Sequence, residues 1–232
     1  MTGIQIVLVE PIYEGNIGFS ARVMKNFGFC DLVLVGGCEV GDEAKARAAH
    51  AQDVLSNARR MAIGEVFSES TLTVATTGEV NKSVCRSMRM PFFSPKELRE
   101  KIAGLSGNVA VLFGQENWGL RNEIVQQCDM VCSIPTSREY PILNLSHAIG
   151  IVCYELAAIP PGTYQMATRE EMEYLYRHIS QFLDRIEHPP FKRAHTMLMM
   201  RRILGRSRLT AREATTVHGL LRRAEHRMDE KK

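Results

Sequence analysis

The chain has 232 residues, 45% of them hydrophobic and 24% charged, with a formal net charge of +3 at neutral pH. That length holds one α/β domain of ordinary size plus a smaller appendage, and the balance is that of a globular protein, not a disordered or collagenous one. The longest apolar stretch, residues 145–159, contains His147 and Glu155 and falls short of the ~20 residues that span a bilayer, which argues against a transmembrane helix.

No basic leader or cleavage site precedes the strand-like residues 4–9, so the expected compartment is the cytoplasm. The six cysteines, Cys30, Cys38, Cys85, Cys128, Cys132 and Cys153, are scattered through the chain and are expected to be free buried thiols. Cys128 and Cys132 lack an accompanying His or second Cys pair, so no bound metal is expected. Charge is unevenly distributed: from Thr163 onward there are 15 Lys plus Arg against 9 Asp plus Glu, while the preceding part is net acidic. Such a tail either faces a polyanion or is a solvated helical surface.

Residues 4–9 (IQIVLV) read as a buried strand of a parallel sheet. After Glu10-Pro11 comes Gly15-Asn16-Ile17-Gly18, where Asn16 is a candidate helix N-cap before the apolar face Ile17, Phe19, Val23, Met24 and Phe27. Arg22 lies six positions beyond Asn16, roughly 120° around the helix. Asp31–Val35 is a second strand, and residues 42–61 read as one Ala-rich helix in which His50 is a packing residue. Residues 72–75 form a third strand closed by Thr76-Thr77-Gly78, whose hydroxyls and flexibility suit the ribose or amino-acid end of a cofactor. Residues 81–91 carry Lys82, Arg86 and Arg89 in a basic loop able to hold phosphate. Ser94-Pro95-Lys96-Glu97 is a capping box opening a helix to about Leu105, and Gly107-Asn108 is expected to turn the chain into the next strand.

Residues 109–156 then read as strand, polar loop, strand, polar loop, helix. Ligands of open α/β sheets bind beyond the carboxyl ends of strands, which places a candidate site at the loops after Phe113 and Ile134. The alternation defines a three-layer α/β domain with a mainly parallel sheet over residues 1–160. Neither GxGxxG nor GxxxxGK[ST] occurs, so no nicotinamide or P-loop site is supported. Residues 161–232 read as a helical extension with capping boxes at Thr168/Glu171 and Thr210/Glu213 and a middle helix over about 194–204. Its positive charge, Arg201, Arg202, Arg206, Arg208, Arg212, Arg222, Arg223 and Arg227, is what contact with RNA phosphates requires, while pairing with a partner subunit is the rival reading for Met197 to Met200.

Three segments, NIGFSAR (16–22), GQENWGL (114–120) and LNLS (143–146) before AIGIVCYE, together resemble the SpoU branch of the SPOUT methyltransferases. The whole chain, including IVLVEP and MRRILGRSRL, looks like the TrmJ-type tRNA ribose 2′-O-methyltransferases. The resemblance implies a C-terminal trefoil knot, S-adenosyl-L-methionine as cofactor, a homodimer, and action on the first nucleotide of the anticodon loop, at cytidine or uridine. Carried over residue by residue, it implies cofactor contacts at Thr76, Thr77, Gly78, Gly114, Ile134, Pro141, Ile142 and Leu143, mostly through backbone groups. It implies a catalytic set of Arg22, Asn16, Glu116 and Asn144, and RNA contacts at Arg86, Arg201, Arg202, Arg206 and Arg208. The family assigns proton acceptance to the arginine matching Arg22, although a guanidinium stays protonated in proteins. Arg22 is therefore either a base activated by the substrate phosphate or an electrostatic clamp. Asn16 and Asn144 are implied as supports, Glu116 as a partner of Arg22 or a loop cap, and capping is also what such residues do without any catalytic role. Relatives often have a serine where Ile142 stands, so that hydroxyl is absent or supplied by Tyr140 or Ser146. Trp118 is a packing residue or a stacking platform for a base. A ribosomal RNA 2′-O-methyltransferase and a non-catalytic RNA-binding protein on the same scaffold are the alternative functions.

Overall fold

The computed structural model describes residues 2–78, 91–137, 139–157 and 164–230; the basic loop with Arg86 lies outside them. Strand β1 (Thr2–Val9) leads into helix α1 (Glu14–Asn26), then β2 (Asp31–Val35), α2 (Asp42–Ala48), α3 (Gln52–Ser56), β3 (Arg59–Arg60) and α4 (Ile63–Glu69). These are followed by β4 (Leu72–Thr76), β5 (Phe92–Phe93), α5 (Pro95–Ile102), β6 (Leu105–Phe113), α6 (Asn122–Gln127), β7 (Met130–Cys132) and α7 (Leu145–Leu156). A short β8 (Tyr164–Gln165) precedes the helices α8 (Arg169–Arg185), α9 (Pro190–Ser207) and α10 (Ala211–Asp229).

The strands lie in the order β3-β2-β1-β6-β4-β7-β5, with β8 beside the start of β6, and every pairing is parallel. Period-2 alternation sends Ile6, Leu8, Leu32, Leu34, Val109 and Val111 to one face, where they pack against Ile17, Met24, Ile102 and Ile149 of α1, α5 and α7. Val7, Val33, Ala75, Ala110 and Leu112 face the other way, towards Val66 and Phe67 of α4. Covering both faces of a parallel sheet explains why its strands read as unbroken apolar runs.

Several local expectations are corrected. The single helix expected over 42–61 is broken into α2, a 3-10 turn (Ala49–Ala51) and α3, with Ala49 at φ 48°. The break lets Ala44, Ala48, Ala51 and Val54 all bury against α1, where a Cβ on Gly18 would stand 2.1 Å from the Ala44 carbonyl oxygen. His50 is exposed and only its carbonyl is engaged, by Lys25 Nζ at 2.9 Å. Gly107 and Asn108 do not turn the chain but lie inside β6, Gly107 at φ 120°. Helix α6 had no clear periodic signal, because it buries Val125 alone. Cys128, Cys132 and Cys153 are buried thiols pushed up to about 12 by desolvation, but Cys30 is exposed. No helix among the described residues is long and apolar enough to cross a membrane.

The capping boxes at Ser94/Glu97, Thr168/Glu171 and Thr210/Glu213 form as read. Helix α9 starts earlier than expected because Pro190 is tolerated in a first turn. The extension has its own core, built on Met172, Leu175, Tyr176 and Ile179 with Met197, Met200 and Leu204 packed on it. Met197 and Met200 are thus half-buried, packed in part on this core.

The arginines expected to grip RNA are largely engaged within the protein. Arg202 is 1% exposed and donates to the carbonyls of Cys128 at 3.0 Å and Val125 at 2.7 Å, which removes it from any RNA surface. Burial pushes its guanidinium below the ordinary arginine value. Arg201 pairs with Glu173 at 2.7 Å and lies over the Tyr176 ring, and Arg208 donates to the Ala103 carbonyl at 2.8 Å. Arg206 is half-buried. Deeper still, buried Arg169 pairs with Asp129 at 3.2 Å, and Asp129 accepts from the Thr73 backbone N–H and hydroxyl at 2.9 and 2.7 Å.

This ionic joint fixes the extension to the start of β7. Removing one partner of a buried pair leaves an uncompensated charge, so Asp129→Ala is expected to lower unfolding free energy by roughly 3–5 kcal/mol in urea denaturation, against a far smaller loss on replacing the exposed Asp53 that pairs with Lys25.

Candidate active site

The C-terminal ends of β4, β6 and β7, neighbours in the sheet, open onto one cavity of about 240 Å³. Its wall contains Thr76, Thr77 and Gly78 after β4, Gly114 and Glu116 after β6, and Ile134, Pro141, Ile142 and Leu143 after β7. All eight residues expected around a cofactor are thus brought to one place. The lining is largely apolar side chains and backbone, which suits a flat heterocycle enclosed by Ile134, Ile142 and Leu143 with its polar edge read by main-chain groups. The hydroxyl of Thr76, on this wall, donates to the Leu112 carbonyl at 2.8 Å.

Close backbone approach shapes one wall. A Cβ on Gly114 would stand 2.0 Å from the carbonyl carbon of Gly119, and the Gly119 N–H donates to the Gln115 carbonyl at 2.9 Å. Residues 115–119 are therefore a tight loop that only glycine at its base permits. Across the cavity the Thr136 hydroxyl donates to the Pro141 carbonyl at 3.0 Å and closes the second loop.

Glu116 reaches out of its loop to the start of α1. Its carboxylate accepts from the backbone N–H groups of Ile12 at 3.0 Å and Tyr13 at 3.4 Å and from Asn16 Nδ2 at 2.7 Å. Tyr13 is the N-cap of α1 and supplies no side-chain cap itself. Glu116 thus provides an anion at a helix N-terminus from another part of the chain, and is neither a partner of Arg22 nor a cap of its own loop. Asn16, expected as the N-cap, sits inside the first turn and instead continues a relay: Asn144 Nδ2 donates to Asn16 Oδ1 at 3.3 Å. Asn144 caps α7 by accepting from the Ser146 N–H at 2.9 Å and hydroxyl at 2.8 Å. The Ser146 hydroxyl is buried in that cap, while Tyr140 is exposed.

Asn16, Glu116 and Asn144 are therefore joined, but Arg22 is not brought to the cavity wall of its own chain. It is exposed on α1 with no hydrogen bond or ion pair among the described residues. Sequence reasoning missed Glu10, Gln115 and Arg121. Glu10, at φ 53°, accepts from Arg121 Nη2 at 2.7 Å and Gln115 Nε2 at 3.5 Å and so braces the 114–121 loop a second time. Only the left-handed backbone at a non-glycine residue marks it, and that is invisible in sequence.

A parallel α/β sheet with a backbone-lined cavity at its strand ends, bordered by an amide and carboxylate relay, is the setting of a ligand-binding enzyme of the α/β class. The chain belongs to the SpoU rRNA methylase family, whose model matches residues 3–154. It is 36% identical over 223 residues to the tRNA (cytidine-2′-O-)-methyltransferase TrmJ of Methanocaldococcus jannaschii, covering 92% of this chain and 96% of that one. It is 33% identical over 247 residues to the tRNA (cytidine/uridine/adenosine-2′-O-)-methyltransferase TrmJ of Pseudomonas aeruginosa, covering 94% and 92%. TrmJ from Z. mobilis ZM4 superposes with a TM-score of 0.75 at 30% identity, over 95% of this chain and 98% of that one.

Losing Glu116 orphans three donors. Glu116→Ala is expected to cost about 1–3 kcal/mol and to speed amide hydrogen exchange at Ile12 and Tyr13, measured by NMR or mass spectrometry, while exchange in β2 stays unchanged.

Proposed function

We propose that this chain is an S-adenosyl-L-methionine-dependent tRNA ribose 2′-O-methyltransferase acting as a cytoplasmic homodimer on the first nucleotide of the anticodon loop. The observation that carries the reading is the single cavity where the ends of β4, β6 and β7 meet, lined by the eight residues implied for the cofactor. Relatives named tRNA 2′-O-methyltransferases align over nearly the whole chain, extension included, which favours tRNA over ribosomal RNA as substrate. The reading includes the threaded connection after Val109 that the SPOUT resemblance implies.

Bound in the cavity, the cofactor supplies an electrophilic methyl group. The protein's task is to orient a ribose hydroxyl against it and to accommodate the proton released. The relay Glu116–Asn16–Asn144 holds α1 and α7 at the cavity edge, and α1 carries Arg22 outward. An exposed guanidinium with no partner among the described residues suits a phosphate of the substrate, so the clamp role is the one its surroundings support, with the proton passing to phosphate or water. α7, packed on α1, leaves Ile151 and Tyr154 exposed, and the segment entering α1 leaves Ile12 and Tyr13 exposed. These apolar groups support a homodimer in which Arg22 serves the partner's cavity. For RNA, the outer side of α10 offers Arg212, Arg223 and Arg227, all exposed and opposite the buried Ala214 and His218.

Arg22→Ala is expected to lower methyl transfer to tRNA by roughly 10²–10³-fold, while calorimetric binding of S-adenosyl-L-methionine stays at the wild-type value. Wild-type turnover in this variant contradicts the role; loss of cofactor binding would place Arg22 in the cofactor site instead.

A further inference from the structure

Trp118 is the chain's only tryptophan, and it is 83% exposed. It is no packing residue. The indole makes no ring–ring or cation–π contact with any described residue, yet it forms part of the cavity wall at the mouth. An exposed aromatic on a mobile loop means little, but this loop is held at three points. Gly119 N–H closes it onto Gln115, Glu116 ties it to α1, and Arg121 with Gln115 ties it to Glu10. The backbone that carries the ring is thus held in place, so part of the ordering entropy of the loop is settled before a ligand arrives.

We infer that Trp118 is a stacking platform for an unpaired base of the RNA substrate at the cavity mouth. The inference rests on the RNA methylation proposed above. A ribose that enters the mouth to meet a donor in the cavity brings its own base to the rim, because base and ribose are one covalent unit. RNA enzymes and binding modules that act on loops hold such unstacked bases on aromatic faces. Stacking tolerates any base, since every base has a π-face, so Trp118 contributes hold without choosing between cytidine and uridine. A second copy of the chain or the cofactor itself are the other candidates to cover the ring, and each gives a different result below.

The experiment uses the full chain and its own fluorescence, which reports on Trp118 alone. An anticodon stem–loop oligonucleotide is expected to quench the emission, and the same oligonucleotide with an abasic site at the target nucleotide is expected to leave it unquenched. Trp118→Ala is expected to raise KM for the stem–loop by about 5- to 150-fold, the range of one base–aromatic stack. kcat at saturating RNA and calorimetric cofactor affinity stay near wild type, and Trp118→Phe restores most of the loss. The inference is overturned if Trp118→Ala has a wild-type KM, or if the abasic oligonucleotide quenches equally. It is also overturned if the quench is produced by S-adenosyl-L-methionine alone or by raising protein concentration alone. Failure of the RNA methylation proposal is separately visible, as absence of methyl transfer by the wild-type protein.

Discussion

The Glu116 carboxylate is the constraint on which the site depends. It lies on a loop at the end of β6, yet its acceptors are filled by the backbone at the start of α1 and by Asn16. Asn144 completes the chain from the N-terminus of α7. The start of α1 is thereby held in register around one cavity with two segments that lie 100 and 128 positions further along the chain. Because the Glu116 links join a charged acceptor to N–H donors at fixed places, the arrangement is specific as well as stabilising. The same loop is braced again through Glu10, whose left-handed backbone is held by Arg121 and by its own N–H to the Val35 carbonyl at 2.8 Å.

The helical extension is joined to the domain by a second set of polar links, this time buried. Arg169, Arg202 and Arg208 reach into Asp129 and into carbonyls at residues 103, 125, 127 and 128. Charges so placed are poor candidates for gripping a polyanion, since their fields are met at short range by acceptors of the protein itself. Arg212, Arg223 and Arg227 of α10, by contrast, are exposed. Asp129 also precedes β7, whose far end leads to Ile134 in the cavity. One strand thus links the extension's anchorage to the ligand wall.

Much of this was legible in the sequence, and the reasons differ by element. β1 and β2 were readable because strands buried on both faces are continuous apolar runs, and α5, α8 and α10 because capping boxes mark their starts. The cavity residues were readable through family motifs, as their backbone role leaves no side-chain signature. Local chemistry misled where tertiary contacts decide: Asn16 looks like an N-cap until Glu116 arrives from another loop, and Arg202 looks like a surface charge until α9 docks on the sheet. The broken helix over 42–61 and the glycine inside β6 are set by close packing and by positive-φ backbone, to which periodicity is blind.

The central claim is that this cavity transfers a methyl group to a ribose of tRNA. The most direct test incubates the purified full chain with unmodified tRNA and S-adenosyl-L-methionine carrying an isotopically labelled methyl group, followed by nucleoside mass spectrometry and fragment mapping. The account predicts the label as a 2′-O-methylnucleoside at the first position of the anticodon loop. Label on a base, or none in RNA while the cofactor is bound, would contradict it.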